Sequence, residues 1–266
     1  MRKSAVVLCG VAAVGAVALL LVPATVPETS SGDTAVTAVR INGGRSLELG
    51  PGESLTFPVE VVATDNSGIR TVDPIGLWGP GYGALKVAPL VCTPLDPAGT
   101  AASCRGTATV TAPSRQLYDD QAGTWFVDLR VRAKDGDRYV AKAAAGFSLK
   151  RAARLVDATA PERAALGERV TVAARLQQAD WDRNGFRPRY GSVALLQFRP
   201  SGSSVWTTVA SAGADPDGLL RAEVPATGTG EFQWWAPGDQ WTGGALSPPQ
   251  PITVAPVPVH DDGPAA

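Results

Sequence analysis

The sequence predicts an all-β chain, two β-sandwiches in series behind an N-terminal export signal, and three observations carry that expectation. Of 266 residues, 29 are Gly and 22 are Pro, about a fifth of the chain, which marks many turns between short elements. Apolar and polar residues alternate with period two in one segment after another. After the first 24 residues no stretch repeats apolar side chains at three-four spacing, and the best helical candidate, 151–166, is broken by Pro161. With 44% hydrophobic and 18% charged residues, the chain is too apolar for a disordered polymer.

Residues 1–24 read as the export signal. Arg2 and Lys3 precede an uncharged run from Ala5 to Val22, and Val22-Pro23-Ala24 offers a small-residue cleavage site. The run exceeds the ~7 to 15 residues of an ordinary signal core, so a retained single-span anchor is the alternative. Residues 25–33 are small and polar and read as a linker. The first sandwich is expected over 34–150. In it Leu55, Phe57, Val59 and Val61 point one way, as do Trp125, Val127, Leu129, Val131 and Ala133. Asp135-Gly136 then marks a tight hairpin into the run from Tyr139 to Leu149, and Asp65 to Gly68 breaks the chain before Ile69. Cys9 belongs to the signal, which leaves Cys92 and Cys104 to pair as a disulfide in an oxidising compartment.

The same pattern restarts after Lys150, so a second sandwich is expected over 151–256. Val170, Val172, Ala174 and Leu176 form one face of a strand, Val193 to Phe198 reads as a central strand, and Val205 to Val209 follows a Pro-Ser-Gly-Ser turn. Leu219 to Val224 and Phe232 to Trp235 come next, and Ile252 to Val254 closes the sheet. Trp125, Trp206 and one of Trp234 and Trp235 are expected to face inward. Residues 257–266, with His260, read as a flexible tail.

Charge and composition narrow the chemistry. The formal net charge is −1, and each expected sandwich balances its acids and bases, so clustered phosphate neutralisation of nucleic acid is not expected. A membrane partner is expected only if the N-terminal segment is retained. The single His260 leaves no His-based triad or multi-His metal site, and neither a phosphate loop nor a nucleophile elbow is present. Asp119-Asp120 is an adjacent carboxylate pair, and neighbours in sequence do not face each other across a cleft as glycoside hydrolysis needs. The reading is therefore of a protein that is not an enzyme.

Two sets of residues carry a resemblance. Ala179-Asp180-Trp181, Tyr190-Gly191, Val193 to Phe198, Gly202 to Ser204 before Trp206 to Val209, Asp217-Gly218-Leu219 and Gly230 to Pro237 resemble actinobacterial exported immunoglobulin-like domains over about ninety residues. Asp65 to Arg70, Cys92, Cys104, Gly123 to Trp125 and Ala133 to Asp137 are similar to a second exported β-domain type of unknown function. The resemblance implies immunoglobulin-like sandwiches and a place outside the cell, with calcium binding attributed to some members. Gln233-Trp234-Trp235 departs from the Tyr-Trp-Arg type run usual there.

Two constellations stand out. Asp180-Trp181-Asp182-Arg183-Asn184-Gly185 matches the first half of a calcium loop, with oxygens at alternate residues and Gly at the turn. Asp180, Asp182 and Asn184 would be the ligands. Gly191 stands where a bidentate Glu belongs, and Arg183, Arg187 and Arg189 add positive charge, so a polar turn is the competing reading. Calcium is the one cofactor left open. Of seven tryptophans, five lie in the second sandwich, and Trp181, Trp235 and Trp241 could form an outward platform for a sugar or peptide, against the reading that they cover sandwich ends or the interface. The expected function is non-catalytic binding or a structural role, secreted or anchored on the outer face of the cytoplasmic membrane. Its expected partner is a cell-surface protein or glycan.

Overall fold

A computed structural model describes residues 29–112 and 117–255. The expected signal 1–24 and tail 257–266 lie outside the described residues. Residues up to Arg151 form ten strands: β1 Thr29–Ser31, β2 Ala35–Ile41, β3 Leu47–Leu49, β4 Ser54–Thr64, β5 Ile69–Trp78, β6 Ala84–Leu85, β7 Val91–Pro94, β8 Ala101–Thr111, β9 Gly123–Ala133 and β10 Arg138–Arg151. The remainder forms β11 Ala153–Thr159, β12 Arg163–Ala165, β13 Arg169–Asp180, β14 Gly185–Pro188, β15 Val193–Pro200, β16 Thr207–Gly213, β17 Leu219–Pro225, β18 Gly230–Ala236, β19 Ala245–Leu246 and β20 Gln250–Ala255.

Each half is a sandwich of two sheets. In the first, β1-β10-β9-β5-β6 with β3 beside β10 faces β2-β4-β8-β7. In the second, β11-β13-β14 with β17 beside β13 faces β12-β20-β18-β15-β16 with β19 beside β18. The period-two pattern explains the layers: Phe57, Val59 and Val61 of β4 and Trp125, Val127, Leu129 and Val131 of β9 are buried between the first pair. Val170, Val172, Ala174 and Leu176 of β13 meet Leu196, Phe198, Phe232 and Trp234 in the second core. Asp135 to Asp137 turns β9 back into β10, with Gly136 at φ 105, which glycine adopts without penalty.

Several expectations are corrected. The segment read as a linker contributes β1, which pairs with β10 through Thr29↔Val140 and Ser31↔Arg138. Asp65 to Gly68 breaks the chain before Ile69 as expected, and the break is a corner between the two sheets, because β4 and β5 belong to different layers. The strand placed at Val205–Val209 runs from Thr207 to Gly213, so Trp206 precedes it and lies half-buried under Arg199, whose guanidinium carbon is 4.7 Å from the ring centroid. Strand β20 does not close its sheet: it lies between β12 and β18.

Cys92 and Cys104 form the disulfide, and the two residues are direct cross-strand partners on β7 and β8. It therefore clips an edge strand to its neighbour within one sheet and does not bridge the layers. No helix among the described residues is long and apolar enough to cross a membrane.

Candidate functional site

The hexapeptide Asp180 to Gly185 connects β13 to β14 at the end of the second sandwich that meets the first. Strand β10 runs through Arg151, and one residue later β11 begins, so the sandwiches abut without a spacer. The backbone stitches them together: Ala152 donates to Leu49 O at 2.9 Å, Ala179 to Ala152 O at 2.8 Å, Arg151 to Trp241 O at 2.9 Å and Gly243 to Arg151 O at 2.9 Å.

Trp181 is 3% exposed and packs in the core of the first sandwich together with Leu49, Leu117, Ala122 and Phe147. Its indole N–H donates to Leu49 O at 3.0 Å, and its backbone N–H donates to Asp119 Oδ1 at 2.8 Å. A side chain from the second half thus completes the core of the first. The Leu49 carbonyl, which also accepts from Ala152, gives this buried indole its polar partner.

Asp119 holds the polar half of the junction. It opens a short 3-10 turn, Asp119–Gln121, and its Oδ2 accepts from Arg187 Nη2 at 2.9 Å and Arg151 Nη1 at 3.4 Å. Its backbone N–H donates to Asp182 Oδ1 at 3.2 Å. Asp180, itself buried, accepts from the Arg183 N–H at 2.8 Å and pairs with Arg183 Nη1 at 3.3 Å and Arg187 Nε at 3.7 Å. The structure thus brings Asp180 and Asp182 together with Asp119, one oxygen of each within 4.8 Å of the others. Arg151, Arg183 and Arg187 stand against these three carboxylates, so the local charge is balanced by the protein's own cations. Asn184, held in the left-handed region at φ 51, turns its Oδ1 toward Gly52 of the first sandwich. The half calcium loop is thus organised as an interdomain clasp.

A second contact runs through residues 237–243. Arg189, buried, donates to Asp239 Oδ2 at 2.9 Å and to Pro237 O at 3.3 Å, while Asp239 Oδ1 accepts from the N–H groups of Trp241 and Thr242. Burial pushes the Asp239 carboxyl up, but those two amides and the Arg189 guanidinium outweigh it and hold the group below its ordinary value. The loop so braced lies against the first sandwich: a Cβ on Gly243 would stand 2.1 Å from Glu48 Oε2, and one on Gly123 would touch the Trp241 ring at 3.6 Å.

The expected platform of Trp181, Trp235 and Trp241 does not assemble, because Trp181 is consumed by the core. Trp235 is 38% exposed and faces outward on β18, beside Leu195 of β15 and Leu246 of β19. Trp241 is 49% exposed at the rim of the junction. The sequence reading missed Asp119 and Arg151 as site residues. Their partners are 32 to 68 positions away, so no local spacing announces them.

Elsewhere, Asp33, Asp65, Asp135 and Asp137 gather at one end of the first sandwich, an oxygen of each within 4.8 Å of the others. Loss of hydration and then the charge of Asp135, with smaller contributions from Asp65 and Asp33, raise the Asp137 carboxyl above its ordinary value. Asp65 is satisfied by Thr34 and Ser67.

No protein-family model and no curated protein matches the chain. Solved structures similar to it include the D00-D0 domain of Intimin, at 11% identity over 81% of this chain and 100% of that one with a TM-score of 0.29. Three N-terminal domains of the highly immunogenic outer capsid protein of bacteriophage RB49 match at 14% identity over 84% and 71%, with a TM-score of 0.28. A superoxide reductase, neelaredoxin, from Ignicoccus hospitalis matches at 13% identity over 37% and 79%, with a TM-score of 0.29.

Proposed function

We propose that the protein is an exported, non-catalytic scaffold of two immunoglobulin-like sandwiches that presents a binding surface outside the cell. The observation that carries this reading is the junction. Trp181 and the Asp119, Arg151, Arg187 network fasten the two halves end to end, which suits a spacer that must hold a surface at a set distance and orientation. The Asp119 carboxylate is engaged by two guanidiniums and one backbone amide, the condition of a structural group. The Cys92–Cys104 disulfide and the uncharged run after Arg2 and Lys3 support export through an oxidising compartment. Calcium at Asp180, Asp182 and Asn184 is not part of the proposal, since Asp180 and Asp182 already have protein partners.

Surface proteolysis of intact cells expressing the full chain tests the reading. We expect the protein to be digested from outside while a cytoplasmic marker survives, with Cys92 and Cys104 resistant to alkylation. Protection in intact cells, with both thiols alkylated on lysis, contradicts it.

A further inference from the structure

We infer that the cleft between Tyr82 and Tyr118 is a saccharide-binding site. This deepens the binding-scaffold reading and rests on it. The cleft is open to solvent and has a volume of about 810 Å³ on the first sandwich, with Leu85, Ala88 and Ala108 among its apolar lining and Lys86, Thr107 and Thr109 among its polar groups. Tyr82 and Tyr118 also line it, the first ending the short turn Pro80–Tyr82 and the second preceding the turn Asp119–Gln121.

The two tyrosines are exposed by construction. Tyr82 is 103% exposed, so its ring rests on no part of the protein, and Tyr118 is 45% exposed. Tyr82 also sits at φ 61, a conformation that costs a residue with a side chain about 1 kcal/mol or more. A strained backbone holding out an unpacked ring does nothing for the core.

The support beneath them is rigid. Gln121 is buried, and its side chain spends both polar ends tying the turns together: Oε1 accepts from the Tyr118 N–H at 3.0 Å and Nε2 donates to Gly81 O at 3.3 Å. Its carbonyl accepts from the Trp125 indole at 2.8 Å, and the Trp125 ring lies so close under Gly79 and Gly83 that a Cβ on either would fall within 2.4 to 2.6 Å of it. On the far side of the Tyr118 turn, Asp119 is pinned by the second sandwich. Both walls of the cleft are therefore braced, the preorganisation that lowers the ordering cost of binding.

The lining chemistry selects a sugar. The positively polarised C–H face of a pyranose matches the negative face of a tyrosine ring, and its hydroxyls both donate and accept. Thr107 and Lys86 in the lining offer a hydroxyl and an ammonium that can pair with those hydroxyls, and Thr109, already paired with Thr56 at 2.8 Å, keeps spare acceptor capacity. An apolar peptide would leave these groups dry and unpaired, which disfavours it.

Calorimetric titration of the full chain with cellohexaose, mannohexaose, chitotetraose and a galacturonate hexamer is the test. We expect at least one to bind, with Tyr82→Ala and Tyr118→Ala each weakening it roughly tenfold and Tyr82→Phe retaining it. Because the Tyr82 ring touches nothing, its replacement leaves folding intact. No binding by any of the four, binding unchanged in both alanine variants, or binding of a proline-rich decapeptide in their place overturns the inference. If a sugar binds and Trp235→Ala alone removes it, the cleft assignment falls while the binding-scaffold reading stands.

Discussion

Asp119 concentrates at one carboxylate what the junction needs: two guanidiniums from strands β10 and β14 and the amide of Trp181. The Nε atoms of Arg151 and Arg187 are buried without a hydrogen bond among the described residues; Arg151 takes its charge partner from Asp119, while Arg187 also has Asp180 at 3.7 Å. Removing one partner of a largely buried pair leaves the other charge uncompensated, and Asp119→Ala is expected to cost about 3 kcal/mol in urea unfolding. Trp181→Ala removes a ring from a close-packed core and is expected to cost about 3 to 5 kcal/mol in the same measurement. If either variant unfolds at the wild-type urea midpoint, the residue does not hold the junction.

Acid should weaken contacts in both sandwiches. Glu60, held low chiefly by Arg105 with Ser103, and Asp239 both have folded pKa values below their ordinary 4.5 and 3.8. Depressed carboxyls give stability that is fully present above those ordinary values and is lost as pH falls through the lower folded ones. Asp137 has the opposite sign: its raised carboxyl is a cost above its ordinary 3.8 that protonation relieves. Asp137→Asn is therefore expected to raise the melting temperature at pH 7 and to change it little near pH 3. A lower melting temperature at pH 7 would mean that the carboxylate makes a contact worth more than the repulsion it suffers.

At the scale of elements, the disulfide ties edge strand β7 to β8 across a separation of 12 residues. Loop closure of that length constrains the unfolded chain by about 3 kcal/mol. Reduction should lower stability by about that amount, and hydrogen exchange should quicken first at Val91–Pro94. Unchanged protection there on reduction would show that pairing to β8 alone holds the edge.

The strands most readable in the sequence were those buried on one face, because Phe57 to Val61, Trp125 to Ala133 and Val170 to Leu176 print their layer as alternation. Edges were less readable. Strand β1 is three polar residues whose strand character comes only from β10, and Trp206 sits before its strand because the turn after Pro200 runs longer than its Gly and Ser suggest. The junction was half readable. Asp180 to Gly185 declared itself as an oxygen-rich turn, but the same spacing serves a metal or a clasp. Its partners Asp119 and Arg151 come from the other half, and only the fold brings them there.

Over the whole molecule, two sandwiches joined by Trp181, which the second half sends into the first core, and by the Asp119 network should behave as one cooperative body. Nothing in the composition of either half requires this: each balances its charges and each has its own buried Trp. Coupling arises at the contact, where the clasp, the backbone hydrogen bonds of Arg151 and Ala152, and the loop braced by Asp239 act side by side. The same turn that carries Asp119 into the clasp carries Tyr118 to the cleft, so loosening the junction should also weaken any ligand held there. Differential scanning calorimetry of the full chain beside the Trp181→Ala variant tests the coupling most directly. A single transition whose calorimetric and van't Hoff enthalpies agree is expected for the native protein, separating into two transitions in the variant. Two independent transitions in the native protein would show that the sandwiches are merely tethered and would contradict the account.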